Sequence, residues 1–199
     1  MEYLILIVAY LIGSIPTGYI LTSLIKGIDV RNIGSGNVGA TNAARALGLK
    51  HGIIVALLDV FKGFLAVSIV FFFLTEPATY LPLLTGLLAI LGHDHSVFLK
   101  FSGGKGVATT FGVLLRITPL ALLIIVIIWF LLSTLTRYVS VASIISSLLM
   151  PLMAFIFIDS NLGLLFYSIF GLLIIIKHHE NIKRLLAGDE NKLSSGSDQ

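Results

Sequence analysis

Long runs of apolar residues without charges divide most of the chain into segments of helical length. The clearest runs are residues 3–25, 77–92, 117–136, 138–158 and 160–176. A helix needs about 20 apolar residues to cross a hydrocarbon core of about 30 Å. Two weaker runs, 52–74 and 106–115, are interrupted by charges or cut short. The pattern predicts an all-α, polytopic integral membrane protein with seven transmembrane helices.

Composition and charge support this class. Of the 199 residues, 57% are hydrophobic and 12% are charged, which is far more apolar than soluble domains. We therefore expect one transmembrane domain over residues 1–193 and a disordered tail over 194–199. The formal net charge of +3 is too small for nucleic-acid binding. The absence of cysteine excludes disulfides, thiolate metal sites and a cysteine nucleophile.

Basic residues set the predicted orientation. With the N-terminus outside and the C-terminus cytoplasmic, eleven of the 13 Lys and Arg residues lie on the cytoplasmic side, as the positive-inside rule requires. Three polar stretches, 31–50, 92–106 and 177–192, then all face the cytoplasm. We expect them to form one site there.

Two features inside the apolar runs predict local structure. Pro16 between Gly13 and Gly18 predicts a kink in the first helix. Asp59 and Lys62 are three residues apart and share a helical face. Unpaired charges are costly in hydrocarbon, so we expect these two to pair, primarily for stability.

The first polar stretch has the composition of an anion-binding loop. Glycines allow successive backbone N–H groups to point at one anion, and the following helix start adds a positive dipole end. Arg45 adds a planar guanidinium suited to phosphate. The alternative is an ordinary flexible loop between helices. The candidate ligands are Gly34, Ser35, Gly36, Asn37, Gly39, Thr41, Asn42 and Arg45.

The second stretch places Lys105 among Gly103, Gly104 and Gly106 at a predicted helix start. This arrangement also suits phosphate, although it is not a Walker A loop, because no Ser or Thr follows the lysine. The alternative is that Lys105 anchors the helix end at the membrane interface. The upstream His93-Asp94-His95 cluster lacks a third convergent ligand, so a structural His93 is favoured over a metal site.

The third stretch continues from the last apolar run and places His178 and Asn181 three residues apart on one helical face. A histidine there suits a general base or a phosphate ligand. The alternative is a charged helix lying on anionic lipid. Ser143 belongs to a row of serines for which close helix packing is the usual interpretation. It lies one turn in from the cytoplasmic end and is the exception that we predict to contact substrate.

Six segments together resemble one family closely, the bacterial acyl-phosphate:glycerol-3-phosphate acyltransferases of the PlsY type. They occur in family order over nearly the whole chain. The segments are GSIPTGYI (13–20), DVRNIGSGNVGATNAARALG (29–48), LLDVFKG (57–63), GHDHSVFLKFSGGKGVAT (92–109), RYVSVASI (137–144) and HHENIKRLLAGDENK (178–192).

The resemblance implies transfer of an acyl group from acyl phosphate to the 1-hydroxyl of glycerol 3-phosphate, giving lysophosphatidate and phosphate. It implies a bacterial inner-membrane enzyme that uses no cofactor and no metal, with membrane lipids and the two substrates as its partners. By motif, the functional residues are Ser35, Arg45, Lys105, His178 and Asn181, and the loop around Lys105 is the glycerol phosphate site. Glu180 is implied to be structural. Ser96 and Ser102 depart from the family, which usually has proline and a basic residue there.

Acyl phosphate is already activated, so the enzyme need only orient the hydroxyl, remove its proton and bind the departing phosphate. We therefore expect direct transfer, with Ser35 as a ligand. Ser35 as a covalent nucleophile is the weaker alternative, because the sequence places no base beside it. A transporter of phosphorylated solutes is the alternative function, although such proteins typically carry inverted repeats and none is visible.

Overall fold

The computed structural model describes residues 1–193, so the predicted tail at 194–199 lies outside the described residues. Apart from an isolated bridge between Ser96 and Ser102, the described part of the chain is helices and their connections, so the all-α prediction is confirmed. Short 3₁₀ helices span Val30–Asn32 and Val97–Leu99. The α-helices are α1 (Glu2–Ser14), α2 (Thr17–Lys26), α3 (Ala40–Leu47), α4 (Leu49–Phe73), α5 (Tyr80–Asp94), α6 (Val107–Ile117), α7 (Pro119–Thr136), α8 (Val139–Leu148), α9 (Met150–Phe157), α10 (Asn161–Lys177) and α11 (His179–Ala187).

The chain divides into two compact units, Met1–Pro119 and Leu120–Gln199. The first unit contains α1 to α6 and two of the three polar stretches. The second unit contains the third stretch. A single domain over residues 1–193 stays a prediction.

Three helical stretches are long and apolar enough to cross a membrane by themselves, namely Glu2–Lys26, Leu49–Phe73 and Pro119–Thr136. Two further stretches qualify if each bent helix pair is one span. The pair α8 and α9 bends by 41°, and the pair α10 and α11 bends by 53°. Helices α5 and α6 are apolar but shorter. Each of the seven predicted segments contains helix, and the number that cross the membrane stays a prediction.

The predicted kink is confirmed. Helix α1 ends at Ser14, and α2 begins at Thr17. Pro16 has no N–H to donate and its ring clashes with the preceding turn, so the helix cannot continue through it. The break leaves the carbonyl of Ile15 close to α4, where Lys62 Nζ donates to it at 2.9 Å.

Glycines allow the helices of the first unit to pack very closely. A Cβ atom at Gly63 of α4 would lie 2.1 Å from the carbonyl oxygen of Thr109 in α6. A Cβ atom at Gly112 of α6 would lie 1.9 Å from the carbonyl oxygen of Val60. Side chains at both positions would therefore force α4 and α6 apart, and these two glycines fix the approach of the helix that follows the second polar loop.

We predict that Gly63→Ala destabilises the protein. The added methyl group has no space, and overpacking of this kind typically costs about 1–3 kcal/mol. The thermal unfolding midpoint in detergent should fall clearly. Leu57→Ala, at a 63% exposed position of the same helix, should change it much less, and an equal effect of both substitutions would contradict the packing argument.

Candidate functional site

A single buried side chain organises the first glycine-rich loop. Asn42, at 1% exposure, accepts a hydrogen bond from the backbone N–H of Ser35 at 3.1 Å. Its amide nitrogen lies within 2.8–2.9 Å of the carbonyl oxygens of Val30, Ile33 and Asn37. Asn42 was predicted as a ligand. Because its amide is engaged by the loop backbone, we propose instead that it positions the loop.

The loop turns tightly below Arg45. Gly34 and Gly36 have φ angles of +53° and +68°, which only glycine adopts without strain. A Cβ atom at Gly34 would lie 3.3 Å from Cδ of Arg45, so the arginine side chain lies directly over the loop. Asn37 accepts from the N–H of Gly39 at 2.8 Å, closing the turn before α3. Partly buried Ser35 and exposed Arg45 therefore belong to one local structure.

The first loop rests on α2. A Cβ atom at Gly18 would lie 2.0 Å from the carbonyl oxygen of Val38, so no other residue permits this contact. Val38 also belongs to a buried apolar cluster with Val30, Ala46 and Leu99. Leu99 comes from the segment before the second loop, so this cluster joins the two loops within the first unit.

The second loop folds over His93 at the end of α5. The backbone N–H of Gly104 donates to the carbonyl of His93 at 2.9 Å. A Cβ atom at Gly103 would lie 2.2 Å from that carbonyl oxygen, and one at Gly104 would lie 1.9 Å from Nε2 of the His93 ring. Gly106 then adopts φ +72° and begins α6. Lys105, partly buried, is thus held between backbone segments that only glycine can form.

Ser96 and Ser102 brace the segment between α5 and the second loop. The Ser96 hydroxyl donates to the carbonyl of Ser14, and the Ser102 hydroxyl donates to the carbonyl of Leu99 at 2.7 Å. The backbone N–H of Ser96 also donates to the carbonyl of Ser102 at 3.2 Å. These three hydrogen bonds hold the chain between α5 and Gly103 in place.

The predicted pairing of Asp59 and Lys62 is confirmed. Their Oδ1 and Nζ atoms are 2.9 Å apart, and both side chains are at most 5% exposed. The same Asp59 oxygen accepts from the Thr17 hydroxyl at 2.6 Å and lies 3.6 Å from Nδ1 of His93. Sequence spacing predicted the pair, but not Thr17 or His93, which are distant in the chain. Among residues 1–193, no group of three or more His, Asp or Glu side chains is placed to hold a metal ion.

His178 lies at a helix break in the second unit. The sequence predicted that the third stretch continues the last apolar helix, but α10 ends at Lys177 and α11 begins at His179 with a 53° bend. His178 is 4% exposed, and its Nδ1 lies 2.7 Å from the carbonyl oxygen of Ile174. A carbonyl only accepts, so Nδ1 donates, and in the neutral ring Nε2 is the unprotonated nitrogen.

Asn181 is held by Glu190, a residue to which the sequence pattern assigns no role. Asn181 Nδ2 donates to Glu190 Oε1 at 2.6 Å, Ser140 donates to the same oxygen at 2.9 Å, and Arg184 Nε donates to Oε2 at 2.8 Å. Glu180, for which the resemblance implied a structural role, is exposed and pairs at 3.0 Å with exposed Lys183. Glu190 therefore joins three side chains of this stretch and of α8, whereas the structural role implied for Glu180 stays a prediction.

Ser143 on α8 makes two hydrogen bonds within its own unit. Its hydroxyl donates to the carbonyl of Val139 at 2.8 Å and accepts from Trp129 Nε1 at 3.1 Å. Contacts of this kind are typical of close helix packing. A contact between Ser143 and substrate stays a prediction. The substrate contact predicted for Thr41, in the first turn of α3, also stays a prediction.

Known proteins are similar to this chain over almost its whole length. A family model described as Glycerol-3-phosphate acyltransferase matches residues 3–188. A protein of that name from Chlorobaculum tepidum is 42% identical, over 96% of each chain. A crystal structure of PlsY, an integral membrane glycerol 3-phosphate acyltransferase, in its glycerol 3-phosphate form has a TM-score of 0.90 and 42% identity, covering 97% of this chain and 96% of that one. The lysophosphatidic acid form has a TM-score of 0.87 and 40% identity, covering 97% and 95%.

We predict that Asn42→Asp collapses the first loop. A carboxylate would face the carbonyl oxygens of Val30, Ile33 and Asn37, and buried polar groups left unsatisfied cost about 1–3 kcal/mol each. The thermal unfolding midpoint should fall. Asn37→Asp is the matched control, because its oxygen still accepts from Gly39. Equal stability of the two variants would contradict the assigned role of Asn42.

Glu190 should make stability depend on pH. Burial raises the pKa of its carboxyl group, but hydrogen bonds from Asn181, Arg184 and Ser140 outweigh burial, so the pKa is lower than usual. A lowered pKa in the folded state stabilises the fold above the unfolded-state pKa of about 4.3. This contribution is lost as the pH falls through the folded-state pKa.

We therefore expect Glu190→Gln to lower the unfolding midpoint at pH 7, and the difference from the unsubstituted protein to vanish in acid. Unfolding scans from pH 7 to pH 3 in detergent measure both effects. Glu180→Gln, at an exposed pair, should have little effect at either pH. A difference at Glu190 that stays constant with pH would refute the charged hydrogen-bond network.

Proposed function

This chain belongs to the glycerol-3-phosphate acyltransferase family of integral membrane proteins, and on that premise we propose that it transfers a fatty acyl group from acyl phosphate to the 1-hydroxyl of glycerol 3-phosphate. The products are lysophosphatidate and inorganic phosphate. The observation that carries the proposal is the pair of glycine loops in the first unit, each shaped by contacts that only glycine allows. The reaction needs this pair, because both of its substrates carry phosphate.

In the proposed reaction, the 1-hydroxyl oxygen attacks the acyl carbonyl carbon, and the bond from that carbon to the phosphate oxygen breaks. The hydroxyl proton passes to His178 or to a substrate phosphate oxygen, and phosphate leaves with the bonding electron pair. Arg45 and Lys105 balance the phosphate charges. Ser35 binds phosphate or the carbonyl, and transfer is direct. Trapping an acylated Ser35 with acyl phosphate alone would overturn direct transfer.

The remaining candidate residues have supporting roles in this proposal. The backbone N–H groups of the first loop bind one phosphate, while the second loop binds glycerol 3-phosphate. Asn181 belongs to the catalytic set through the family motif, and Glu190 fixes its amide. The loop residues are Gly34, Gly36, Asn37, Gly39 and Thr41 in the first loop, and Gly103, Gly104 and Gly106 in the second.

We also propose seven crossings of the bacterial inner membrane, with the loops facing the cytoplasm. The three long helical stretches and the two bent pairs supply five spans by length and composition. Helices α5 and α6 would be the remaining two, shorter crossings. The distribution of basic residues supports this orientation.

The deciding experiment supplies purified protein with glycerol 3-phosphate and either palmitoyl phosphate or palmitoyl-CoA. We expect lysophosphatidate and phosphate from palmitoyl phosphate only. Product from palmitoyl-CoA would refute the donor assignment. No product from either donor, together with uptake of glycerol 3-phosphate into proteoliposomes, would favour the transporter.

We predict that Arg45→Lys lowers kcat/KM by about 100-fold, the usual scale for losing one preorganised donor to a developing charge. Lysine keeps the charge but loses the planar, bidentate group that suits phosphate. Arg116→Lys is the matched control. Arg116 lies in the last turn of α6, at the end of that helix far from the second loop. Its Cζ atom is 4.0 Å from the centroid of the Phe71 ring. Similar activity of the two variants would exclude Arg45 from phosphate binding.

A further inference from the structure

The supports of the two glycine loops meet at one buried carboxylate. Asp59 lies in the middle of α4, is 1% exposed, and belongs to neither loop. We propose that Asp59 is a positioning residue that fixes the distance between the two loops. This inference rests on the proposed function, because it assigns the loops to the two phosphate-bearing substrates.

The path from Asp59 to the first loop has two contacts. The Thr17 hydroxyl donates to Asp59 Oδ1 at 2.6 Å, which fixes the start of α2 after the break at Pro16. The next residue, Gly18, packs against the carbonyl group of Val38. A Cβ atom at Gly18 would lie 2.0 Å from that carbonyl oxygen. Rotation of α2 about its first residue would therefore move the first loop.

The path to the second loop runs through His93. Nδ1 of its ring lies 3.6 Å from Asp59 Oδ1, and the ring is 6% exposed. The other ring edge, at Nε2, lies against Gly104, and the N–H of Gly104 donates to the carbonyl of His93 at 2.9 Å. The orientation of this imidazole ring therefore determines where the backbone before Lys105 lies.

Lys62 compensates the negative charge of the buried Asp59 carboxylate. It pairs with Asp59 at 2.9 Å and donates to the carbonyl of Ile15 at 2.9 Å, beside the helix break. Buried ion pairs seldom add net stability compared with apolar residues, and a specific geometry is one reason to keep them. Thr17, Val38, Lys62 and His93 also line one small cleft of the first unit, so the network lies beside Val38 of the first loop.

A purely stabilising role makes a different prediction from a positioning role. Loss of stability lowers the amount of active enzyme, whereas KM does not depend on enzyme concentration. Displacement of the loops raises KM, because the groups that bind each substrate phosphate are then out of position. Misplacement by about 1 Å can reduce catalysis by about 100-fold.

The experiment compares Thr17→Val, Thr17→Ser and Thr85→Val. Valine replaces threonine at nearly the same size, so Thr17→Val removes only the hydroxyl that donates to Asp59, and Thr17→Ser retains a hydroxyl. Thr85, in α5, has a buried hydroxyl that donates to Leu81 of its own helix at 2.7 Å. Thr85→Val therefore removes a buried hydroxyl of the same unit without touching the network.

We expect Thr17→Val to raise KM for glycerol 3-phosphate by about tenfold, and Thr17→Ser and Thr85→Val to stay within about twofold of the unsubstituted protein. The inference is overturned if Thr17→Val lowers only the unfolding midpoint, or if Thr85→Val raises KM equally. Asp59→Asn, which keeps the shape but removes the charge, should raise KM at least as much if it folds. The threonine series decides the question if it does not.

Binding of glycerol 3-phosphate separates this inference from the proposed function. The ligand should raise the unfolding midpoint of the unsubstituted protein in a concentration-dependent way. The apparent Kd from such titrations should be about tenfold weaker in Thr17→Val. If the protein binds but turns over neither donor, the proposed reaction fails and the positioning role is still tested. An unchanged Kd in Thr17→Val overturns the positioning role.

Discussion

A chain inside a lipid bilayer must satisfy its backbone hydrogen-bonding groups internally, because hydrocarbon offers no partners. This constraint accounts for a fold made of helices. It also explains why side chains form hydrogen bonds with the backbone groups of the non-helical segments. In the first loop, one amide group, that of Asn42, engages four backbone groups. In the segment after α5, the hydroxyl groups of Ser96 and Ser102 donate to backbone carbonyl groups at the ends of helices, those of Ser14 and Leu99.

Glycine contributes in two distinct ways. At Gly34, Gly36 and Gly106 it provides a positive φ, which turns the loop backbone. At Gly18 and Gly104 it provides an absent side chain, which lets a loop approach a helix or an imidazole ring to a distance that no Cβ atom permits. The positions of the loops therefore depend both on their own glycines and on the helices against which they pack.

The charged groups follow the same constraint, because a buried charge needs polar partners to replace water. Asp59 and Lys62 are buried as a pair with additional hydrogen bonds from and to uncharged groups. Glu190 receives three donors in the second unit. By contrast, Arg45, the cation proposed for phosphate, is exposed.

The sequence by itself determined the features that depend on neighbours in the chain. Apolar runs identified the helices, Pro16 identified the kink, and the spacing of Asp59 and Lys62 identified their pairing, because each follows from local geometry. The six motif segments identified the family. The tertiary structure alone decided the features that depend on distant partners. The Asn42 amide engages four backbone groups of the first loop, His178 follows the end of α10, and Glu190 accepts from Asn181. The tertiary structure also joined His93 to Asp59 and to the second loop. No local pattern encodes these contacts, because each depends on how separate helices and loops pack.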